Sequence, residues 1–135
     1  MEFHKKGNVL LASSVDGTIH MWNCNNGILM NTFYGHSGAV NAARFTPDGK
    51  FIASISDDES MKIWQVSSNS EKRTIVGKNF HNSGIVSLSF HDSRSIVATG
   101  GQDFRFCISN YENGDIYHKS AEFEDVIESV CIATT

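Results

Sequence analysis

Short runs in which apolar and polar residues alternate recur along the chain and predict β-strands. The pattern is clearest between residues 40 and 76, where the predicted strands are 40–45, 51–55, 61–66 and 73–76. A turn separates the first two strands, because Pro47 presets φ and Gly49 takes a positive φ at little cost. Polar turns at 57–60 and 67–70 separate the others.

The same order of strands and turns occurs on both sides of this segment. The predicted strands before it are 9–12, 19–22 and 29–34, and those after it are 85–90, 96–99, 104–109 and 116–118. Residues 127–132 match strand 40–45 and predict the start of a further unit. No segment shows a helical period over three turns. The sequence therefore predicts an all-β fold built from units of four short antiparallel strands.

The units also share residues at fixed spacings. A phenylalanine is followed 13 residues later by an aspartate in three pairs: Phe3 and Asp16, Phe45 and Asp58, Phe90 and Asp103. Two of these aspartates precede a tryptophan by six residues, at Trp22 and Trp64, and two follow a histidine by 22 residues, at His36 and His81. A period of 42 to 45 residues indicates a repeat architecture. Such repeats build binding surfaces, which argues against catalysis.

The repeated residues resemble the WD-repeat β-propeller family over essentially the whole chain. The family pattern is a Gly-His pair, four strands, a turn aspartate and a Trp-Asp pair, and Gly35, His36, Asp58 and Trp64 carry it here. Departures are visible, since Trp64 is followed by glutamine and the third unit opens with Phe-His. The resemblance implies a partial propeller of about three blades of four antiparallel strands. Its expected parts are a first blade at 1–34 lacking its start, blades at 35–79 and 80–121, and the first strand of a fourth blade within 122–135.

A second resemblance is to the angio-associated migratory cell protein group, which includes a dedicated chaperone of a large-subunit ribosomal protein. The stretches from Met1 to His4, from Val9 to Ala12 and from Asp16 to Trp22 look like an early blade of that group. Glu128-Ser129-Val130 after an acidic stretch also looks similar. This resemblance implies an assembly chaperone in ribosome biogenesis.

Within the family, a histidine, a strand hydroxyl, the turn aspartate and the tryptophan form a buried hydrogen-bond network in each blade. The residues at these positions are His36, Ser54, Asp58 and Trp64, then His81, Thr99 and Asp103, and in the first unit Asp16 and Trp22. Each link satisfies a polar group that costs about 1–3 kcal/mol when it is buried without a partner. Ser109 replaces the tryptophan in the third unit, and Ala12 replaces the hydroxyl in the first.

A serine, a histidine and an aspartate are also the residues of a hydrolase triad. Catalysis needs one exposed nucleophile in a cleft, whereas this set recurs at repeat spacing with its hydroxyl in mid-strand. No G-x-S-x-G elbow or P-loop accompanies it. His20 and Cys24 are four residues apart, but a zinc site needs three or four converging ligands. We therefore predict no catalytic residues, no metal and no cofactor.

The family resemblance also points to partner-binding positions. They flank the opening of a blade's first strand or precede the turn aspartate: Val15, Ala39, Asn41, Asp57, Gly84, Val86 and Gln102. Glu128 belongs to an acidic stretch with Glu122, Glu124 and Asp125, which is either a solvated loop or a surface for a basic peptide. The set lacks an aromatic or arginine anchor, and ordinary loop residues remain the alternative for each member.

Composition narrows the class of partner. The net charge of −4 disfavours nonspecific nucleic-acid binding and is compatible with a basic protein or peptide partner. Three widely spaced cysteines give no disulfide framework and favour a reducing compartment. The sequence contains no apolar run of about 18 residues, the length that would predict a membrane span. A cytoplasmic or nuclear location is therefore expected.

Three blades cannot close a ring, because propellers have four to eight. An uncovered blade face of several hundred Å² forfeits roughly 10 kcal/mol of apolar burial. We therefore expect a fragment of a longer propeller, or chains that complete each other. The function expected is a non-enzymatic protein-interaction scaffold, with a structural subunit of a larger complex as the alternative and an enzyme as a remote third.

Overall fold

The computed structural model describes residues 2–3, 8–68, 70–77, 80–91 and 94–121. These residues form three sheets, each of four antiparallel strands in sequence order. The first sheet contains β1 (Glu2–Phe3), β2 (Val9–Ser13), β3 (Ile19–Asn23) and β4 (Leu29–Phe33). The second contains β5 (Val40–Phe45), β6 (Phe51–Ser56), β7 (Met61–Gln65) and β8 (Ser70–Ile75). The third contains β9 (Ile85–Phe90), β10 (Ile96–Gly101), β11 (Phe106–Asn110) and β12 (Ile116–Lys119).

The all-β prediction is confirmed, and no α-helix occurs in the described residues. It follows that these residues contain no helix that could span a membrane. The predicted strand at 127–132 and the candidate residue Glu128 lie outside the described part of the chain.

Two strands begin at different residues from those predicted. The last strand of the second sheet starts at Ser70 rather than at residue 73, because its first half is polar and exposed and shows no alternation. The third strand of the third sheet starts at Phe106 rather than at residue 104. Phe104 lies in the preceding turn with a φ of 64°, a left-handed conformation that a strand does not allow.

The second sheet is covered on both faces. Successive side chains of a strand point to opposite faces, and all but the first residue of β6 are buried. Ile52 belongs to an apolar cluster with Leu11 and Phe33 of the first sheet. Ala53 and Ile55 belong to another cluster with residues of the third sheet. The core is thus two apolar layers, one on each side of the middle sheet.

These layers supply most of the driving force for the fold. The fully buried side chains of the second sheet include Ile52, Ile55, Met61 and Ile63. Burial of each such side chain stabilises the fold by about 1.5–3 kcal/mol. Because these residues contact two neighbouring sheets, the same packing fixes the order in which the sheets lie.

Candidate functional site

The turns that follow β2, β6 and β10 lie at one edge of the three sheets, together with the starts of β5 and β9. Register places them there, since Val40 pairs with Ser56 and Ile85 with Gly101. The backbone N–H of Val40 also donates to the carbonyl of Ser14 in the first sheet at 3.0 Å. We call this edge the loop edge. It carries the polar networks of the second and third sheets and the partner-binding candidates that the structure describes.

In the second sheet, one chain of hydrogen bonds joins four buried or half-buried side chains. The indole Nε1 of Trp64 donates to Ser54 Oγ at 2.9 Å. Ser54 Oγ lies 2.6 Å from Nε2 of His36, and Nδ1 of that histidine lies 2.8 Å from Asp58 Oδ2. Burial lowers the pKa of His36, and Asp58 offsets this only in part. The neutral ring therefore accepts a hydrogen bond from the Ser54 hydroxyl at Nε2 and donates one to the Asp58 carboxylate from Nδ1.

The Asp58 carboxylate is satisfied on both oxygens. Oδ2 accepts from the backbone N–H of Ser37 at 3.0 Å as well as from His36. Oδ1 accepts from the backbone N–H of Ser60 at 2.9 Å and from its hydroxyl at 2.5 Å. Burial raises the pKa of Asp58, but these hydrogen bonds outweigh it and hold the pKa at about 2. The ionised aspartate therefore fixes the turn after β6.

The third sheet has a shorter version of this network. His81 Nδ1 lies 3.0 Å from Asp103 Oδ1, and Nε2 lies 2.9 Å from Thr99 Oγ1. Burial lowers the pKa of His81, with Asp103 opposing the shift. Ser109 lies opposite Val97, at the position that Trp64 holds opposite Ile52. Its hydroxyl is buried and has no hydrogen-bond partner among the described residues.

A change elsewhere in the third sheet accompanies the missing indole. In the second sheet, a Cβ on Gly35 would lie 3.0 Å from Cη2 of Trp64, so the indole occupies the space beside that glycine. The third sheet has Phe80 at the position of Gly35, fully buried and with its ring centroid 4.8 Å from that of His81. In the third repeat the aromatic side chain, Phe80, directly precedes the histidine. In the second repeat it is Trp64, which lies on strand β7.

The first sheet does not bring Asp16 and Trp22 into such a network among the described residues. Asp16 is exposed and accepts hydrogen bonds from the hydroxyl and backbone N–H of Thr18. Its pKa is lowered, with the Thr18 hydroxyl as the largest cause. Trp22 is only half-buried. For Trp22 the physical reason is Ala12, which has no hydroxyl to accept the indole N–H at the position of Ser54.

The geometry does not expose a nucleophile from these networks. Ser54 and Thr99 are fully buried. Burial raises the pKa of the Cys107 thiol to about 12, so this cysteine is not an activated thiolate. No group of three or more His, Cys, Asp or Glu side chains within the described ranges could hold a metal ion. What the networks do chemically is satisfy buried polar groups and hold turns.

The described partner-binding candidates differ widely in exposure. The exposed residues are Val15, Asn41, Asp57 and Gln102, the half-buried ones are Ala39 and Val86, and Gly84 is buried. Val15 is the most open, with 87% of its surface exposed. Ala39 contributes through its backbone, because its carbonyl accepts from the N–H of Asp57 at 3.0 Å and from the Ser56 hydroxyl at 2.7 Å.

Asn41 connects two sheets. Its Nδ2 donates to Asp57 Oδ1 at 2.8 Å and to the carbonyl of Ile85, in the third sheet, at 2.7 Å. Both amide protons are therefore used within the molecule. Asn41 acts as a positioning residue for Asp57 and for the start of β9.

Asp57 and Gln102 meet above Gly84. A Cβ built on Gly84 would lie 2.8 Å from Asp57 Oδ1 and 3.0 Å from Gln102 Oε1. The two side chains come from turns of neighbouring sheets, and both are exposed. Gly84 is itself buried, and the two side-chain oxygens fill the space that a side chain at this position would need.

Phe104 was not among the predicted site residues, although it lies on the same edge. It follows the turn aspartate Asp103, has a φ of 64° and exposes 39% of its surface. The equivalent residues Gly17 and Glu59 also have positive φ values, 89° and 74°. Gly17 could have predicted the positive φ at Glu59 and Phe104, because a glycine after a turn aspartate is typical of a left-handed position.

Comparison with known proteins gives the same architecture. The family model described as WD domain, G-beta repeat (WD40) matches residues 1–23, 27–65 and 71–108. The solved structure titled "Structure of U3-55K" superposes with a TM-score of 0.88 at 18% identity, covering 96% of this chain and 40% of that one. At that identity the superposition shows the fold alone, which is a partial propeller here.

Curated relatives are similar over most of the chain. Angio-associated migratory cell protein of Homo sapiens is 30% identical over 103 residues, covering 76% of this chain and 24% of the relative. Polycomb protein EED of Chaetomium thermophilum is 31% identical over 99 residues, covering 70% and 18%. SIR4-interacting protein SIF2 of Saccharomyces cerevisiae is 39% identical over 69 residues, covering 51% and 13%. The chain spans a quarter or less of each of these relatives.

The family model covers well over half of the chain. Its matches at 27–65 and 71–108 each run from the last strand of one sheet into the third strand of the next. The chain therefore belongs to the WD-repeat family.

Proposed function

We propose that this chain is part of a non-enzymatic protein-interaction scaffold and that its partner binds at the loop edge. The family supports the general role, and the yeast relative is named for its interaction with SIR4. We extend the proposal to a cytoplasmic or nuclear location, and to a propeller completed by further blades or by another chain.

The observation that carries the proposal is the continuity of the loop edge across sheets. The Val40 N–H binds the carbonyl of Ser14 between the first and second sheets, and Asn41 binds the carbonyl of Ile85 between the second and third. These bonds fix the turns relative to one another before any partner arrives. Because side chains such as Asp57 and Gln102 remain exposed on this fixed edge, little ordering entropy is lost on binding.

The finer form of the proposal is an assembly chaperone for a basic ribosomal protein. It is supported by the resemblance to the angio-associated migratory cell protein group and by the net charge of −4. Exposed carboxylates at the loop edge, at Asp16, Asp57 and Glu59, would attract a basic segment.

Selection of peptides from a random displayed library on the immobilised chain tests the proposal. We expect enriched peptides to lose binding when Gln102→Arg places a bulky charge on the loop edge. Glu112→Arg is the matched control, because Glu112 is an exposed polar residue in the turn at the opposite edge. Peptides that bind Q102R and a second loop-edge variant, Val15→Arg, as well as the parent chain would contradict the proposal.

One observation favours the alternative of a structural subunit. Four apolar residues on and beside β4 are exposed, with exposed fractions of 61% for Ile28, 43% for Leu29, 49% for Met30 and 73% for Tyr34. An apolar strip of this kind suits a contact with a neighbouring protein. If it serves one, Met30→Glu will abolish concentration-dependent association seen by size-exclusion chromatography with light scattering. A parent chain that stays monomeric would count against this alternative.

A further inference from the structure

We infer that Asn26 is a modification site of this chain, at which the side-chain amide is lost by spontaneous deamidation, and that Arg73 protects the equivalent Asn113 from the same reaction. Each asparagine is followed by a glycine, in the turn between the third and fourth strands of its sheet. Both turns lie at the edge opposite the loop edge. The reaction is therefore separate from the partner binding proposed above and needs no partner.

Deamidation of an asparagine begins at the backbone nitrogen of the next residue. This nitrogen gives up its proton to solvent and bonds to Cγ of the asparagine, and the side-chain nitrogen takes up a proton and leaves as ammonia. Water then opens the resulting succinimide ring at either carbonyl, which gives aspartate or isoaspartate. A following glycine favours ring closure, because it has no Cβ and its backbone reaches conformations that other residues rarely adopt.

The attacking nitrogen is held in the same way in both turns. The N–H of Gly27 donates to the carbonyl of Asn23 at 2.9 Å, and the N–H of Gly114 donates to the carbonyl of Asn110 at 2.9 Å. The two glycines also share a left-handed conformation, with φ values of 70° and 80°. At either site, this hydrogen bond must break before the glycine nitrogen can reach Cγ of the asparagine.

The side-chain carbonyl under attack is polarised in the same way as well. Oδ1 of Asn26 accepts from the backbone N–H of Ile28 at 3.0 Å, and Oδ1 of Asn113 accepts from the backbone N–H of Asp115 at 2.9 Å. A donor at this oxygen stabilises the negative charge that develops on it as the glycine nitrogen attacks. Since both turns supply that donor, the hydrogen bonds alone do not distinguish the two sites.

The two turns differ in what covers the glycine. A Cβ on Gly114 would lie 3.0 Å from Cδ and 3.1 Å from Nη1 of Arg73, which extends from β8 of the neighbouring sheet. Apart from the two chain neighbours of Gly27, no described residue comes within 4 Å of a Cβ built there. Gly27 is exposed, whereas Gly114 is half-buried. The opening that frees the glycine nitrogen therefore costs less at Gly27.

Incubation of the full chain at mildly alkaline pH, followed by peptide mapping with mass spectrometry, measures the conversion of each asparagine. In the folded chain Asn26 should be converted several times faster than Asn113, and in urea, where the packing is lost, the two rates should become similar. Arg73→Ala should raise the rate at Asn113 several times and leave that at Asn26 unchanged. Lys72→Ala is the matched control, because it removes an exposed cation from the same strand and should change neither rate.

Equal rates at the two asparagines of the folded chain, or a ratio of rates that urea leaves unchanged, would overturn the inference. An R73A chain that is folded by circular dichroism and still protects Asn113 would overturn it too. If R73A does not fold, the comparison of the two asparagines in the parent chain still decides. Conversion places a new carboxylate two residues before Ile28, so it makes one end of the exposed apolar strip beside β4 anionic.

Discussion

Gly101 lies directly against the imidazole of His81: a Cβ at this glycine would be 2.6 Å from Nδ1 and 2.7 Å from Asp103 Oδ1. Both distances are shorter than van der Waals contact, so a methyl group and the His81–Asp103 hydrogen bond exclude each other. The network of the third sheet thus depends on a residue that contributes no side chain to it.

We expect Gly101→Ala to destabilise the fold by about 2–3 kcal/mol, because it separates a buried histidine from its aspartate. Urea unfolding followed by circular dichroism measures the change. Gly84→Ala, just before β9, is the comparison and should cost less: its Cβ would lie 2.8 and 3.0 Å from the ends of the Asp57 and Gln102 side chains, which can move, and 3.3 Å from the Asp57 Cα. Equal losses in the two variants would contradict this account of Gly101.

Two buried serines should respond to alanine with opposite signs. Ser54→Ala removes the acceptor of the Trp64 N–H and the partner of His36, and should cost about 2–3 kcal/mol. Ser109→Ala removes a buried hydroxyl that has no partner in the described residues, and should raise the free energy of unfolding by about 1 kcal/mol. Thermal melts of the two variants side by side measure both effects. A destabilised S109A would show that this hydroxyl is paired.

Acid should weaken the fold in two pH ranges. The pKa values of His36 and His81 lie below the ordinary 6.5, so the unfolded state binds more protons as the pH falls through 6.5, and stability decreases there. Asp58 has a pKa of about 2 against an ordinary 3.8, so its contribution is complete above 3.8 and is lost as the pH falls toward 2.

Chemical unfolding at pH 7.5, 6, 5, 4 and 3 measures this dependence. Asp58→Asn should reduce the pH dependence of the lower range, where Asp16 and Asp48 also have lowered pKa values, and should keep the contribution of His81 to the upper range. Constant stability between pH 7.5 and 5 would contradict neutral, buried histidines.

The left-handed turn residues offer a way to stabilise the chain. Glu59 has a φ of 74°, which costs a residue with a Cβ about 1–2 kcal/mol, while the equivalent Gly17 avoids that cost. After the greater backbone entropy that glycine loses on folding, we expect Glu59→Gly to raise stability by about 0.5–1 kcal/mol. Glu59→Ala is the control, since it removes the same side chain and keeps the strain. Equal melting temperatures for the two variants would contradict the prediction.

The sequence predicted the strands well wherever burial leaves a pattern. Alternation located β5 and β9 at their observed bounds, and the apolar run at 51–55 predicted a strand that two neighbouring sheets cover. Ser70–Ile75 was only half predicted, because an exposed outer strand is held by backbone hydrogen bonds that constrain side-chain type weakly.

The details of the site were harder to predict from the sequence. Repeat spacing named His36, Asp58 and Trp64, and the family resemblance added Ser54. The structure joins the four by hydrogen bonds. The bond from Asn41 to the carbonyl of Ile85 leaves no trace in a sequence pattern, because its acceptor is backbone. The meeting of Asp57 and Gln102 above Gly84 depends on how two sheets pack, and spacing within one repeat does not contain that information.

The position of Trp64 gives this chain an internal optical probe. Its ring is packed 5.4 Å from Phe33 of the preceding sheet and tethered by Ser54, whereas Trp22 is half-buried on another sheet. Replacing Trp22 with phenylalanine leaves Trp64, at the junction of the first two sheets, as the single tryptophan of the chain. Its fluorescence would then report when those sheets separate, even while each keeps its own strands paired.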